Sequence, residues 1–450
     1  MKKKIARLAA VIITLSLTIA VLASCRNTDM PAPPTAPDAP ASDSSTAAGT
    51  TEASELDGVT ISLAASAAWI RDVDRELAQD FYQETGITVD LQATPDDMFE
   101  SVLMTRMATG EGPDIFMGET GLALMRFQPE RYAVDLSNEP WIDRLPDFMF
   151  DQAGINGVIY GFTTWGRDFR AMNFNTEIFE RYGIEIPTSY ETFAQASEIL
   201  LENSITPVFY MGAEEWYHDM IFDGAVNIES RAPGTYQRLN NQETTYSESA
   251  EAIKFLTNLL DSAERGFFGE DFMSYTFDQG PPGLADGQYA MWFGWATFVN
   301  DIEAADGPPA DSWLAFPMPF TDDFSVLAMT GAGMTRMINK DSSHIDAAKA
   351  YFNFLAREDN LQTFYDGRID LLESTLYGAT AMSPRNFDFA LDLVSGRTLP
   401  SPRQGVLFQG ADAHFGRNIQ SMLFGLMTPE QVLESLDTAR ERTFENVEME

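Results

Sequence analysis

Residues 59–117 read VTISLAASAAWIRDVDRELAQDFYQETGITVDLQATPDDMFESVLMTRMATGEGPDIFM, and this stretch decides the fold class. A β-branched run opens it, and apolar residues at helical spacing follow until Gly86. A second short apolar run, a second helical segment and, after Gly112-Pro113, a third apolar run complete it. The order strand, helix, strand, helix, strand indicates a βαβ sheet of the doubly wound kind.

The same patterns predict the bounds of the elements. The opening stretch is expected to hold strands over 59–64, 87–91 and 114–117 and helices over 70–85 and 96–108. Asp96 and Asp97 can cap the second of these helices. Two later helices begin with the spacing of a capping box, at Thr188 and at Thr428. The later helices are predicted over 188–203, 249–265, 344–365 and 429–444, so the body is mixed α/β and rich in helices.

The composition excludes several classes of protein. The 450 residues include 68 acidic and 29 basic side chains, for a formal charge of −39, and they are 44% apolar and 12% aromatic. This much apolar surface excludes disorder throughout, and this negative a charge disfavours binding to nucleic acid or to anionic lipid headgroups. The single cysteine excludes an intrachain disulfide and a cysteine-cluster metal site.

The N-terminal segment has the pattern of a secretory signal. Basic residues precede an apolar run over 8–21, which is short against the roughly 20 residues needed to span a bilayer. Residues 22–25, LASC, then resemble the lipobox of bacterial lipoproteins, which predicts a signal peptide over 1–24 and a lipid on Cys25. An ordinary signal with an incidental cysteine, or an uncleaved anchor, remains the alternative. Residues 25–56, rich in Pro, Ala, Ser and Thr, are predicted to be a disordered tether.

Residues 57–450 are expected to form the folded body. This length exceeds the roughly 250–300 residues at which a single core stops growing. No linker-like composition occurs after Leu56, and no internal repeat is visible. We therefore expect two lobes that are joined by several crossings of the chain.

Motifs of the common enzyme classes are missing from the sequence. It holds no phosphate-binding P-loop, no His-Glu-x-x-His zinc motif and no Gly-x-Ser-x-Gly elbow. The three histidines, His218, His344 and His414, lie far apart. We therefore expect no metal and no cofactor. A pair of carboxylates that cleaves glycosidic bonds needs only proximity in space, so a glycosidase stays open.

Tryptophans stand beside polar residues in several predicted loops. Trp69 follows the first strand, Trp165 lies in a stretch rich in Gly and Thr, and Trp216 begins the run Trp-Tyr-His-Asp. Trp292 and Trp295 lie in the run Trp-Phe-Gly-Trp. The C–H face of a sugar packs on such rings while its hydroxyls bond to carboxylates, guanidiniums and amides. Packing in the apolar core is the alternative for each ring.

Six motifs follow one another in a recognisable order. They are LAQDFYQETGITV at 77–89, LMTRMATGEGPDIF at 103–116, YGFTTWGRDFRAMNFN at 160–175, PTSYETF at 187–193, ADGQYAM at 285–291 and IDAAKAYFNFL at 345–355. This series resembles the family 1 extracytoplasmic solute-binding proteins of ABC import systems, which capture sugars and oligosaccharides.

The resemblance implies an α/β fold of the two-lobe, periplasmic-binding-protein-like (type II) class, with a ligand cleft between the lobes. Lobe one then holds about 58–163 and 331–368, and lobe two holds about 164–330 and 371–450, with three crossings between them. The ligand-binding residues expected under this interpretation are Trp69, Asp97, Glu119, Trp165, Asp168, Trp216, Tyr217, Asp219, Trp295 and Arg368. A helix cap is the alternative for Asp97, and an ordinary turn is the alternative for Asp168. Whether Trp292 or Trp295 faces the ligand stays open.

The implied function is the capture of a sugar or oligosaccharide by hinge closure and its delivery to the membrane subunits of an ABC permease. The protein would be a monomer outside the cytoplasm, held to the membrane by the lipid on Cys25, and it would catalyse no reaction. A surface-anchored glycoside hydrolase or lyase is the alternative. A purely structural or adhesive lipoprotein is a third possibility.

Overall fold

The computed structural model describes residues 58–381, 384–410 and 414–449, without the side chains of Asp97 and of residues 446–449. The predicted signal segment, the lipidation at Cys25 and the predicted tether lie outside the described residues. All of the described residues belong to one compact unit, Thr51–Glu450. In this part of the chain no helix is both long enough and apolar enough to cross a membrane.

Short strands and helices alternate along the chain. The strands are β1 (Thr60–Ser66), β2 (Thr88–Thr94), β3 (Ile115–Glu119), β4 (Gly154–Ile155), β5 (Val158–Ile159), β6 (Phe162–Thr163), β7 (Phe169–Asn175), β8 (Thr206–Phe209), β9 (Tyr289–Gly294), β10 (Trp313–Pro317), β11 (Leu327–Met329), β12 (Met334–Ile338) and β13 (Thr398–Pro400). The helices are α1 (Asp72–Thr85), α2 (Asp96–Thr109), α3 (Pro129–Tyr132), α4 (Met149–Ala153), α5 (Thr176–Tyr182), α6 (Tyr190–Glu202), α7 (Glu215–Phe222), α8 (Asn227–Ser230), α9 (Thr235–Asn240), α10 (Ala250–Glu264), α11 (Gly280–Ala285), α12 (Phe298–Ala304), α13 (Ile345–Leu355), α14 (Glu358–Asp366), α15 (Arg385–Leu393), α16 (Pro402–Gly405), α17 (Phe415–Leu423) and α18 (Pro429–Met449).

The first sheet has the strand order β2-β1-β3-β12-β6. β1 lies parallel to both β2 and β3, with Leu63 opposite both Leu91 and Ile115. β12 joins the other side of β3 in the antiparallel direction and also pairs with β6. The opening stretch therefore forms the parallel β-α-β-α-β unit that its periodicity predicts, and two strands from later in the chain extend it.

The second sheet has the order β13-β11-β7-β9-β8, and β10 also pairs with β7. β7 is antiparallel to β9, β10 and β11, while β8 runs parallel to β9. A large apolar cluster that includes Met172, Trp292 and Trp313 covers this sheet. A separate cluster that includes Leu63 and Phe162 covers the first sheet.

The chain passes between the two sheets after β6 and again after β11. The two passages are joined by hydrogen bonds, because the amide of Thr330 donates to the carbonyl of Asp168 (2.7 Å) and the amide of Asp168 donates to Oγ1 of Thr330 (3.0 Å). After α13 and α14, which contact α1, the chain continues to α15, which packs on β10. The lobe boundaries given above stay a prediction.

Helix ends follow the local sequence in most places. Gly86 ends α1 with a φ of 75°, a left-handed conformation that favours glycine. At the start of α18, the amide of Gln431 donates to Oγ1 of Thr428 (3.3 Å) and the amide of Thr428 donates to Oε1 of Gln431 (2.9 Å), which confirms the predicted capping box. Ser249 caps α10 as the residue before its first turn.

Three local predictions are wrong. The helix over 344–365 is two helices, because Arg357 is extended (φ −62°, ψ 143°) and separates α13 from the first residue of α14. The capping box of α6 is formed by Ser189 and Thr192, one residue later than predicted. Asp96 does not cap α2, because it lies inside the helix and its Oδ1 accepts the amide of Ala68 (3.2 Å) from the loop after β1. A capping role of Asp97 falls on a side chain outside the described ones and stays a prediction.

Candidate functional site

Two of the predicted residues follow neighbouring parallel strands of the first sheet. Glu119 is the last residue of β3, and Trp69 ends a single 3₁₀ turn directly after β1. Since the carboxyl ends of parallel strands meet at one edge of a sheet, both residues lie at that edge. The partly exposed ring of Trp69 lies edge-on to Phe99, with the centroids 5.1 Å apart. Asp97 is in α2, and its side chain is outside those that the structure describes.

Helix α7 carries three further predicted residues on two faces. Trp216 and Asp219 are three residues apart and therefore share a face of the helix. Asp223, directly after the last residue of α7, lies four residues further along the same face. Trp216 is 42% exposed, and its Nε1 donates to Oε2 of Glu214 (3.1 Å). Tyr217 is on the other face, fully buried, and its hydroxyl donates to the carbonyl of Phe293 (3.0 Å). The face with Trp216 is the one that a ligand could reach.

Trp216, Phe277 and Trp295 form what we call the aromatic group. The rings of Phe277 and Trp295 are nearly parallel, with an interplanar angle of 19° and centroids 6.1 Å apart. The ring of Trp216 lies 6.4 Å from Trp295 and 6.2 Å from Phe277. Trp295 is partly buried, whereas Trp292 is fully buried beneath it. Of the two tryptophans in this run, Trp295 is therefore the one with accessible surface.

A line of alternating charges runs from α2 through β3 to α7, and Arg403 of α16 is the cation that joins β3 to α7. Arg126 pairs with Glu100 and, through Nη1, with Oε2 of Glu119 (3.1 Å). Nη1 of Arg403 lies 3.2 Å from Oε1 of Glu119, and its Nη2 pairs with Oδ2 of Asp219. We call these five residues the ion chain. It connects the first sheet to a helix packed on the second.

Asp223 and Arg170 lie beside the ion chain. Nε of Arg403 is 3.8 Å from Oδ2 of Asp223, and Nε of Arg170 is 4.0 Å from the same atom. Arg170 is in β7, so these contacts join the ion chain to the second sheet.

Burial and pairing act in opposite directions on the acids here. Burial raises the pKa of Glu119, but the charges of Arg403 and Arg126 outweigh it and leave the pKa below its ordinary value. Asp219, Glu119 and Asp223 raise the pKa of Arg403 against the effect of burial. For Asp223 burial dominates over the charges of Arg403 and Arg170, and its pKa rises to about 6. Glu119 and Arg403 are therefore an ionised pair at neutral pH.

Arg368 and Trp165 are packed together. The guanidinium of Arg368 is buried, binds both carboxylate oxygens of Asp370 (2.7 Å each) and lies 4.3 Å from the ring centroid of Trp165. Nη1 of Arg368 and Nε1 of Trp165 are buried without a hydrogen-bond partner among the described residues. These contacts hold the two side chains inside the protein. A ligand-binding role for either residue stays a prediction.

Asp168 lies where the chain first passes between the sheets. Its Oδ1 accepts the amides of Phe169 (2.7 Å) and of Ala296 (2.9 Å), so it joins the start of β7 to the segment that carries Trp295. Burial raises its pKa to about 6 despite these hydrogen bonds and the charge of Arg170. Among the described residues, no group of three or more His, Cys, Asp or Glu could hold a metal ion.

The structure brings together Glu119 and Asp219 through Arg403, and Trp216 and Trp295 through Phe277. Tyr217 and Arg368 are buried in the protein interior. Trp69 lies at the carboxyl ends of the parallel strands of the first sheet. Arg403 and Phe277 are absent from the sequence-based prediction. No local signal could have found Arg403, because its hydrogen-bonded carboxylate partners Glu119 and Asp219 are 284 and 184 residues away in the chain.

Comparison with known proteins identifies relatives of about two thirds of the chain. Residues 64–362 match the family described as bacterial extracellular solute-binding protein. The chain is 24% identical over 301 residues to the melibiose/raffinose/stachyose-binding protein of Bacillus subtilis, a match that covers 64% of this chain and 68% of that protein. It is 19% identical over 299 residues to the multiple sugar-binding protein of Streptococcus mutans, covering 65% and 70%.

Among solved structures, a chitin oligosaccharide binding protein superposes with a TM-score of 0.72 at 18% identity, covering 85% of this chain and 98% of that one. At these identities the likeness shows the fold, and it confirms the predicted two-lobe α/β class.

Proposed function

Because the chain belongs to the bacterial extracellular solute-binding protein family, we propose that it is the sugar-binding component of an ABC importer. It captures a sugar or oligosaccharide between two lobes and delivers it unchanged to a membrane permease. The lobes are about 58–163 with 331–368 and about 164–330 with 371–450. Relatives named for binding melibiose, raffinose and stachyose, or chitin oligosaccharide, support the ligand class.

The aromatic group is the observation that carries the proposal. Trp216, Phe277 and Trp295 present flat, partly accessible rings, and Asp219 lies on the same face of α7 as Trp216. Indole faces pack on the C–H face of a sugar, and carboxylates accept its hydroxyls. In this arrangement the rings pack on the apolar C–H face of an uncharged carbohydrate, and the carboxylate accepts its hydroxyl groups.

Lobe closure follows from where the site residues lie. Glu119 and Trp69 are at the edge of the first sheet, while Trp216 and Trp295 belong to the second. A ligand between them gains contacts with both sets only when the lobes approach, so binding favours the closed form. The paired passages at Asp168 and Thr330 are the hinge about which the lobes move.

Anchoring is the second part of the proposal. The signal pattern and the lipobox-like LASC motif support lipidation of Cys25 outside the cytoplasm, in accord with an extracellular family. The tether over 25–56 then holds a monomeric binding body near the permease, with a reach of about 30 Å for its roughly 30 residues.

The test is a thermal-shift and calorimetric screen with raffinose, stachyose, chitin oligosaccharides and their monosaccharides. A ligand at 100 times its Kd is expected to add about 2.7 kcal/mol to the free energy of unfolding. Trp216→Ala and Trp295→Ala should lose the shift, while Phe424→Ala, an aromatic residue that is 59% exposed elsewhere, should keep it. A screen without any shift, or an increase of reducing ends in the incubated samples, contradicts the proposal.

A further inference from the structure

We infer that Arg403 is the positioning residue of the proposed sugar site, because it holds one carboxylate from each lobe, Glu119 and Asp219, in place as acceptors for sugar hydroxyls. The inference rests on the proposed function and adds a residue that neither the aromatic group nor the sequence motifs include.

The place of Arg403 in the fold supports this role. Its helix α16 is fixed to the second lobe, because the hydroxyl of Tyr236 donates to the carbonyl of Pro400 (3.2 Å) and Nδ2 of Asn240 donates to that of Gly405 (3.1 Å). The same helix contacts the 3₁₀ segment Gly121–Phe127, which directly follows β3 in the first lobe. Arg403 therefore reaches both lobes from a short, anchored segment.

The charges explain why a cation is needed at this point. Arg403 is the cation that contacts both Glu119 and Asp219, and without it two acidic side chains would lie near each other with no shared cation between them. Like charges repel most strongly where little water screens them. The planar guanidinium can donate to two carboxylates at fixed angles, which a lysine ammonium cannot reproduce. Arg126, itself paired with Glu100, supports Glu119 from the opposite side.

The acids keep surface that a ligand can reach. The side chains of Glu119 and Asp219 are 21% and 22% exposed. A carboxylate offers about four acceptor positions, and the two guanidiniums make three contacts with Glu119, so its capacity is not filled. Asp219 shares its helix face with Trp216, so Arg403 connects the acceptors to the ring on which a sugar would pack.

The experiment measures sugar affinity and dissociation rate in four variants, using whichever sugar the wild-type protein binds in the screen above. Arg403→Gln is expected to raise Kd at least tenfold, mostly through faster dissociation, and Arg403→Lys to recover part of the loss. Glu119→Gln keeps the shape of the acceptor but removes its charge, and it should weaken binding in the same direction. Arg417→Gln is the matched control, since Arg417 makes a two-point ion pair with Glu215 on the exposed side of α7.

The outcomes separate this inference from the proposed function. A wild-type protein that binds no sugar of the panel refutes the proposed function. A wild-type protein that binds, together with folded Arg403→Gln within twofold of its Kd, refutes only the role of Arg403. Equal losses in the Arg403 and Arg417 variants refute it as well. If Arg403→Gln does not fold, Glu119→Gln decides, and unchanged affinity in that variant overturns the inference.

Discussion

We expect the raised pKa of the buried Asp168 carboxyl to lower the stability of the fold at neutral pH and not at pH 4, and Asp168→Asn should reveal by how much. Its pKa in the folded protein is about 6, against an ordinary value of 3.8. Between these two values the folded state binds a proton that the unfolded state has already lost. The contribution of Asp168 to the free energy of unfolding therefore falls as the pH rises through this window, and its full cost is present above pH 6.

The size of the effect follows from the difference between the two pKa values. About two pH units at 1.36 kcal/mol each correspond to about 3 kcal/mol. The side chain of asparagine keeps an oxygen that can accept the amides of Phe169 and Ala296, so the junction between β7 and the Trp295 segment is preserved. Asp168→Asn should thus be more stable than wild type by up to about 3 kcal/mol at pH 7 and close to wild type at pH 4.

The assay is urea unfolding followed by circular dichroism from pH 4 to pH 7.5. Burial also raises the pKa of Asp223 and Asp301 to about 6, so the wild-type curve contains their contributions and only the difference between wild type and variant is informative. Asp80→Asn, at an exposed position of α1, serves as the control and should leave the curve unchanged. Parallel wild-type and Asp168→Asn curves, or a variant that is less stable at pH 7, would refute the reasoning.

Three further predictions concern separate parts of the molecule. Gly333→Ala should lower the free energy of unfolding by about 1–3 kcal/mol, because Gly333 has a φ of +70° and an added Cβ would lie 2.9 Å from Cβ of Trp165; an unchanged denaturant midpoint would contradict this. Tyr217→Phe should cost about 1 kcal/mol, the worth of the hydrogen bond to Phe293, while the Kd for sugar stays the same; a large rise in Kd without loss of stability would instead make Tyr217 a ligand contact. Cys25→Ala should move the protein from the membrane fraction to the soluble fraction, as fractionation and immunoblotting can show, and retention in the membrane would argue for an uncleaved anchor.

Much of the fold could be predicted because its signals are local. The β-branched runs and helical spacing of residues 59–117 indicate the parallel unit, and Gly86 and Thr428 mark helix ends through backbone conformation and reciprocal hydrogen bonds within four residues. The sequence-based prediction runs one helix through Arg357, although the polar residues 357–360 interrupt the apolar periodicity between Leu355 and Leu361. A helix that packs on another element can end wherever the packing requires it.

The candidate site could be predicted only in part. Tryptophans beside polar residues indicate Trp216 and Trp295, yet the same signal indicates Trp292, which β9 places in the core. Every residue of β9 is buried, so alternation along the strand does not separate a ligand-facing side from a core-facing side. The arrangement of neighbouring elements decides which ring is accessible.

The sequence by itself determined the α/β class, the order of its elements and the class of solute-binding proteins to which the motifs belong, because these depend on periodicity and on short runs of residues. Only the tertiary structure decided that Arg403 joins Glu119 to Asp219, that Arg368 is buried against Trp165 and that Phe277 completes the aromatic group. Charges attract, and rings pack, according to distance in space. For residues hundreds of positions apart, that distance is set by the two sheets and the passages between them.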